Sequence, residues 1–254
     1  MPAAAALARL VLLEARRGGL PWLGVASILL GLGLAAFLSQ VALTESLALQ
    51  AALVAALLRA CAVFLIAAHV ATSTLREMND KALELTLALP LSRAAQYLGR
   101  LAGFAACGAA LGAAFALPLL LWAPPAVVSL WALSLALECA LVAAATLFFA
   151  MTLAQLVPAL AATAGLYLLG RSIAAIQAIA GGPLAVPSTA HELARWTVEA
   201  LAFLLPPLEA ATRTEWLLYG APAPGTYLAA LGGLLAYFAL LVAAGLFDFY
   251  RRNL

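Results

Sequence analysis

Six times along this chain a stretch of 18 or more residues passes with almost no charge: approximately 21–41, 49–70, 101–122, 127–151, 158–180 and 226–247. At 1.5 Å per residue, about 20 residues of helix cross the ~30 Å hydrocarbon core of a bilayer. Backbone N–H and C=O groups find no water there, so each run must satisfy its own hydrogen bonds, which a helix does within the segment. Composition agrees: 67% of the 254 residues are apolar and 9% are charged, against about 25% charged in a soluble domain. With a mean hydropathy of +1.09, a water-soluble monomer would be left with an apolar exterior and would aggregate. The expected fold is an all-α polytopic membrane protein, one transmembrane domain over 1–254 with six spans in the bilayer.

Charges between the runs set the expected topology, because Lys and Arg accumulate on the cytoplasmic side of short loops. One side collects Arg9, Arg16, Arg17, Arg76, Lys81, Arg93, Arg100, Arg251 and Arg252. The other has Arg195 and Arg213, diluted by Glu45, Glu192, Glu199, Glu209 and Glu215. Both termini are therefore expected in the cytoplasm, and no cleaved leader is expected, since the first apolar run exceeds a signal-peptide core and more spans follow. A net charge of +2 with scattered basic residues gives no nucleic-acid footprint.

Four segments outside the runs carry information. Residues 7–17 place Arg9, Glu14, Arg16 and Arg17 on one arc of a helical wheel, which suits an N-terminal amphipathic helix in the cytoplasmic interface. Residues 72–100 hold the densest charge, with Met78, Ala82, Leu85 and Leu89 at helical spacing, Glu77 and Lys81 as an i,i+4 pair, Pro90 as a stop and Ser92 as the cap of the following helix. This predicts a cytoplasmic helix-turn-helix with a face for a partner. Residues 181–225 are too apolar for a simple loop. Glu192, Arg195 and Glu199 share a narrow polar arc, Pro206-Pro207 breaks the helix, and a shorter helix follows, which predicts an external hairpin of interfacial or re-entrant helices with Trp196, Trp216 and Tyr219 at headgroup level. Residues 151–157 predict a tight turn.

The chemistry the chain lacks is also informative. A P-loop needs a lysine after glycines, and the one lysine, Lys81, has no glycine beside it. No zinc-type spacing of Cys or His is present: Cys61, Cys107 and Cys139 read as small buried hydrophobes, His69 as an interfacial residue. Neither Ser134 nor Ser172 has the surroundings of an intramembrane serine nucleophile. No enzyme, metal or cofactor is expected. Gly99 with Gly103, and Gly108 with Gly112, form two small-residue pairs on opposite faces of the third span, where neighbouring helices pack closely. Three charges lie inside spans, Arg59, Glu138 and Arg171. Each sits nine to eleven residues from the external end of its span, about 15 Å deep, and a lone charge near mid-membrane costs at least ~2.5 kcal/mol. They are expected to meet.

This layout resembles the membrane subunits of type-2 ATP-binding-cassette (ABC) transporters. The most specific likeness is Arg76-Glu77 followed by Glu84-Leu85-Thr86-Leu87-Ala88-Leu89-Pro90-Leu91-Ser92-Arg93 and then Tyr97-Leu98-Gly99-Arg100, which is similar to the coupling-helix region of that family. Residues Glu215-Trp216-Leu217-Leu218-Tyr219-Gly220 look most like the permeases grouped with multicopper-enzyme maturation. The resemblance implies a permease of the bacterial inner membrane, a homodimer with two copies of a separate ATPase subunit, exporting a substrate between the membrane halves. It assigns ATPase coupling to Arg76, Glu77, Lys81, Glu84, Leu85, Leu89, Pro90, Ser92 and Arg93. An ion-coupled secondary transporter and a non-transporting membrane assembly protein are the other two readings. The substrate is not written in the sequence.

Overall fold

The computed structural model describes residues 2–41, 46–80, 92–180, 189–213, 216–220 and 223–251. All regular structure among them is helical: α1 (Pro2–Arg17), α2 (Leu20–Val41), α3 (Ser46–Asn79), α4 (Arg93–Leu119), α5 (Pro125–Leu153), α6 (Leu156–Ala180), α7 (Thr189–Leu204), α8 (Leu208–Ala211), α9 (Trp216–Tyr219) and α10 (Pro224–Arg251). Six of these, α2 to α6 and α10, are long and apolar enough to cross a membrane. The outward faces of the bundle carry large apolar side chains, among them Trp22, Phe37, Phe64, Leu121, Ile179 and Phe247, as a membrane-embedded protein requires.

The long helix α5 is the axis. It packs against α3, α4, α6 and α10, and Trp131, Leu135, Cys139, Ala143 and Leu147 along it are fully buried. Small residues set the closest approaches. A Cβ on Gly108 would lie 2.6 Å from Cys139 Cβ of α5, and one on Gly103 would lie 2.7 Å from Val11 Cβ of α1. The two glycine pairs of α4 thus receive different helices on opposite faces: Gly99 and Gly103 take α1, Gly108 and Gly112 take α5. Such contact replaces the hydrophobic drive that is missing between helices in lipid. The α1 helix consequently does more than float at an interface, since Val11 and Ala15 are buried against the bundle.

The second apolar run does not end at residue 70. The helix α3 continues unbroken to Asn79, so Arg76 and Glu77 belong to a spanning helix and not to a separate cytoplasmic one. Residues 81–91, with Lys81, Glu84, Leu85, Leu89 and Pro90, lie outside the described residues. The α5–α6 connection is the tight turn expected, closed by Ala154 in the left-handed region at φ 52°.

The two ends of the bundle differ. One gathers Arg16, Arg17, Arg76, Arg93, Arg100 and Arg251 at the end of α1, the end of α3, the start of α4 and the end of α10. The opposite end holds the α4–α5 turn, where Trp122 Nε1 donates to Gln50 Oε1 at 3.1 Å, and the segment from α7 to α9.

Candidate functional site

The site is built on one face of α5. Trp131, Ser134 and Glu138 follow at i, i+3 and i+7, so they stack along a single stripe. The Glu138 carboxylate is completely buried near the midpoint of α5, where an isolated negative charge would be expensive. Two helices supply the remedy. Arg59 of α3, only 2% exposed, donates from Nη1 to Glu138 Oε2 at 2.5 Å. Its other terminal nitrogen reaches Ser134 Oγ at 3.4 Å, and its guanidinium carbon lies 5.3 Å from the Trp131 ring centroid, a cation–π geometry. From α6, Tyr167 Oη donates to Glu138 Oε1 at 2.9 Å and Arg171 Nη1 approaches the same oxygen at 3.3 Å. Both carboxylate oxygens are therefore engaged, and α3, α5 and α6 are pinned together at one depth.

Arg171 reaches further. Its Nη1 donates to Thr212 Oγ1 at 2.8 Å and its Nη2 to the Thr212 carbonyl at 3.3 Å. Thr212 follows α8, a single helical turn whose Leu208 is fully buried between α6 and α10 together with Leu141 and Leu234. Chain continuing from α7 is folded into the bundle at Pro206 and Pro207. Pro206 seats on Gly170, where a Cβ would come within 2.9 Å, and Pro207 seats on Gly233. Pro206 is buried by this contact, while Pro207 stays exposed on its other side. Two guanidiniums share one carboxylate, so the cluster carries one surplus positive charge, and the Arg171 side chain remains 31% exposed.

A second set of contacts ties the arginine-rich end. Ser73 Oγ donates to Glu14 Oε2 at 2.7 Å, joining α3 to α1. Arg100 of α4 pairs with Glu77 of α3 at 2.9 Å. Ser92 caps α4 by accepting from the Ala95 N–H, and Arg93 Nη1 donates to the carbonyls of Phe249 and Tyr250 at 3.3 and 3.2 Å, a cation on the free carbonyls at the end of α10. Tyr97, fully buried, packs on Phe249 of the same helix. Four helices are bound together on either side of residues 81–91.

The structure brings Arg59, Glu138 and Arg171 together as expected from their equal depth, adds Ser134, which the sequence reading weighed only as a nucleophile, and adds Tyr167, Trp131 and Thr212, which it passed over. A signal for two of them existed: Ser134 and Tyr167 each lie four residues before a charge inside a span, one turn away on the same helix face. Thr212 had none, because its place depends on the path of the chain after Pro206. Other side chains singled out in the sequence can also be placed. Glu77 pairs with Arg100 at the end of α3, while Lys81, its expected i,i+4 partner, lies outside the described residues. Trp216 is 7% exposed and stacks edge-on against Tyr227, centroids 5.3 Å apart. Trp196, by contrast, is exposed. His69 is half-buried inside the bundle, edge-on to Phe104 at 5.6 Å. The sequence matches no protein-family model, and no curated protein is similar to it.

Proposed function

We propose that this chain is the membrane-spanning permease subunit of an ABC exporter in a bacterial inner membrane, acting as a homodimer with a separate ATPase subunit. The arginine-rich end, with both termini, faces the cytoplasm, as the retention of basic residues on that side requires. The observation that supports the reading is the bracing of the helices that flank residues 81–91. Glu77–Arg100 fastens the end of α3 to α4, Arg93 fastens α4 to the end of α10, and Glu14–Ser73 fastens α1 to α3. A force applied to the segment between α3 and α4 is therefore passed to four helices as a unit, which is what a coupling element between an ATPase and a transport path needs. Arg76, Glu77, Lys81, Glu84, Leu85, Leu89, Pro90, Ser92 and Arg93 form this element. The stripe of Leu85 and Leu89 meets the ATPase, while Ser92 and Arg93 set the start of α4.

The segment from α7 to α9 is the external hairpin of this reading and stoppers the path, with Thr212 latched to Arg171. Glu138 is saturated by Arg59, Tyr167 and Arg171, which suits a structural pin better than a carrier of coupling protons. Truncating or charging a buried interface anchor commonly costs 2 kcal/mol or more of binding. Leu85→Asp with Leu89→Asp is therefore expected to remove the ABC ATPase that copurifies with the wild-type protein in detergent. Unchanged copurification, or the absence of any such ATPase with the wild-type protein, would contradict the assignment.

A further inference from the structure

At the arginine-rich end, α1, α2 and α4 leave an open groove of about 320 Å³ between them. Leu12, Leu20, Ile28, Leu111 and Ala114 line its walls, and Arg16 stands at its mouth. Arg16 and its neighbour Arg17 are exposed, and among the described residues neither has a carboxylate partner. The one acid close to them in sequence, Glu14, is engaged by Ser73. On α2 the lining runs from Leu20 to Ile28, eight residues or about 12 Å of helix, against the ~15 Å that one leaflet contributes to the hydrocarbon core. The groove is thus cationic at the level where a headgroup lies, apolar below it, and about one leaflet deep.

We infer that this groove is a binding site for an anionic phospholipid of the leaflet at the arginine-rich end, with its phosphate against Arg16, the charge of Arg17 nearby, and one acyl chain between α2 and α4. The inference rests on the membrane location alone and not on a transport function. Charge complementarity selects this occupant, because basic pockets between spanning helices hold anionic headgroups while a second copy of this chain would bring a further Arg16 to the same place. The bound lipid fills the space between α1 and α2, which are joined through the short Gly18-Gly19 connection, and so fixes the amphipathic helix against the first span.

The test is thermal unfolding of the purified protein in detergent, with phosphatidylglycerol or phosphatidylcholine of the same chains added, since a ligand that binds only the folded state raises Tm with its concentration. Phosphatidylglycerol is expected to raise Tm more than phosphatidylcholine does. Arg16→Glu with Arg17→Glu should abolish that difference, Arg16→Lys with Arg17→Lys should keep it, and Ala110→Trp, which fills the groove from an exposed position of its lining, should suppress the response to both lipids. Equal shifts with the two lipids, or a preference that survives Ala110→Trp, would overturn the site. A dimer in detergent that Ala110→Trp dissociates would also overturn it, in favour of a second copy. If the double-glutamate variant does not fold, the lysine and tryptophan variants decide between these outcomes.

Discussion

The energetics of the site concentrate in one carboxylate. Removing one partner of a buried ion pair leaves an uncompensated charge and costs about 3–5 kcal/mol, whereas replacing both partners by apolar groups is often close to neutral. Glu138→Ala orphans Arg59 and Arg171 at once and is expected to lower the Tm of the purified protein sharply. Adding Arg59→Leu should restore part of the loss, because a contacting pair shows a coupling energy that distant residues lack. Strictly additive losses in the double-mutant cycle would show that the pair does not interact. Tyr167→Phe removes one neutral donor to the carboxylate and should cost about 1.5–3 kcal/mol, the value for a hydrogen bond to a charged group. Equal losses from Tyr167→Phe and Glu138→Ala would contradict the ranking of the two contacts. The depth of this cluster was legible in the sequence because helix rise is constant, so counting residues from a span end measures distance into the membrane. Which helix faces met was legible only in part: apart from Ser134, the residues around Glu138 on α5 are apolar, and a nearly all-round apolar helix offers little periodicity from which to choose a face.

Among the elements, the glycine pairs of α4 were the clearest guide to packing, since a residue without a Cβ marks a place where another backbone comes close. The prediction at this scale uses their contrast. Gly103→Ala puts a methyl group 2.7 Å from Val11 Cβ and 3.0 Å from the Ala8 carbonyl oxygen, neither of which moves without displacing α1. It should lower Tm by several degrees. Gly165→Ala on α6 meets nothing within 4 Å and should be neutral or stabilise by up to about 1 kcal/mol, the ordinary helix preference for alanine. Similar effects of the two substitutions in thermal unfolding would show that α1 is not seated on α4. One helix end was misplaced from the sequence. Helix α3 outruns its apolar stretch because Ser73 and Glu77 are held by Glu14 and Arg100, and hydropathy stops counting where the apolar run stops.

At the scale of the whole molecule, hydropathy gave the number of long apolar helices, while the path of the chain after α7 came from packing on Gly170 and Gly233 that no local pattern announces. The bundle that results is asymmetric, tied at the arginine-rich end by the Glu77–Arg100 ion pair and by hydrogen bonds of Ser73 and Arg93, packed on folded-back chain at the other, with the Arg59–Glu138–Arg171 cluster between. Every step of the permease reading depends on which end faces the cytoplasm, since ATP is available only there. The direct measurement is thiol labelling in intact cells, in a background where Cys61, Cys107 and Cys139 are replaced. Single cysteines at Glu199 and Arg213 are expected to react with an impermeant reagent added outside, and one at Arg76 only after the membrane is opened. Labelling of Arg76→Cys from outside, with Glu199→Cys and Arg213→Cys protected, would place the coupling element on the wrong side of the membrane and contradict the account.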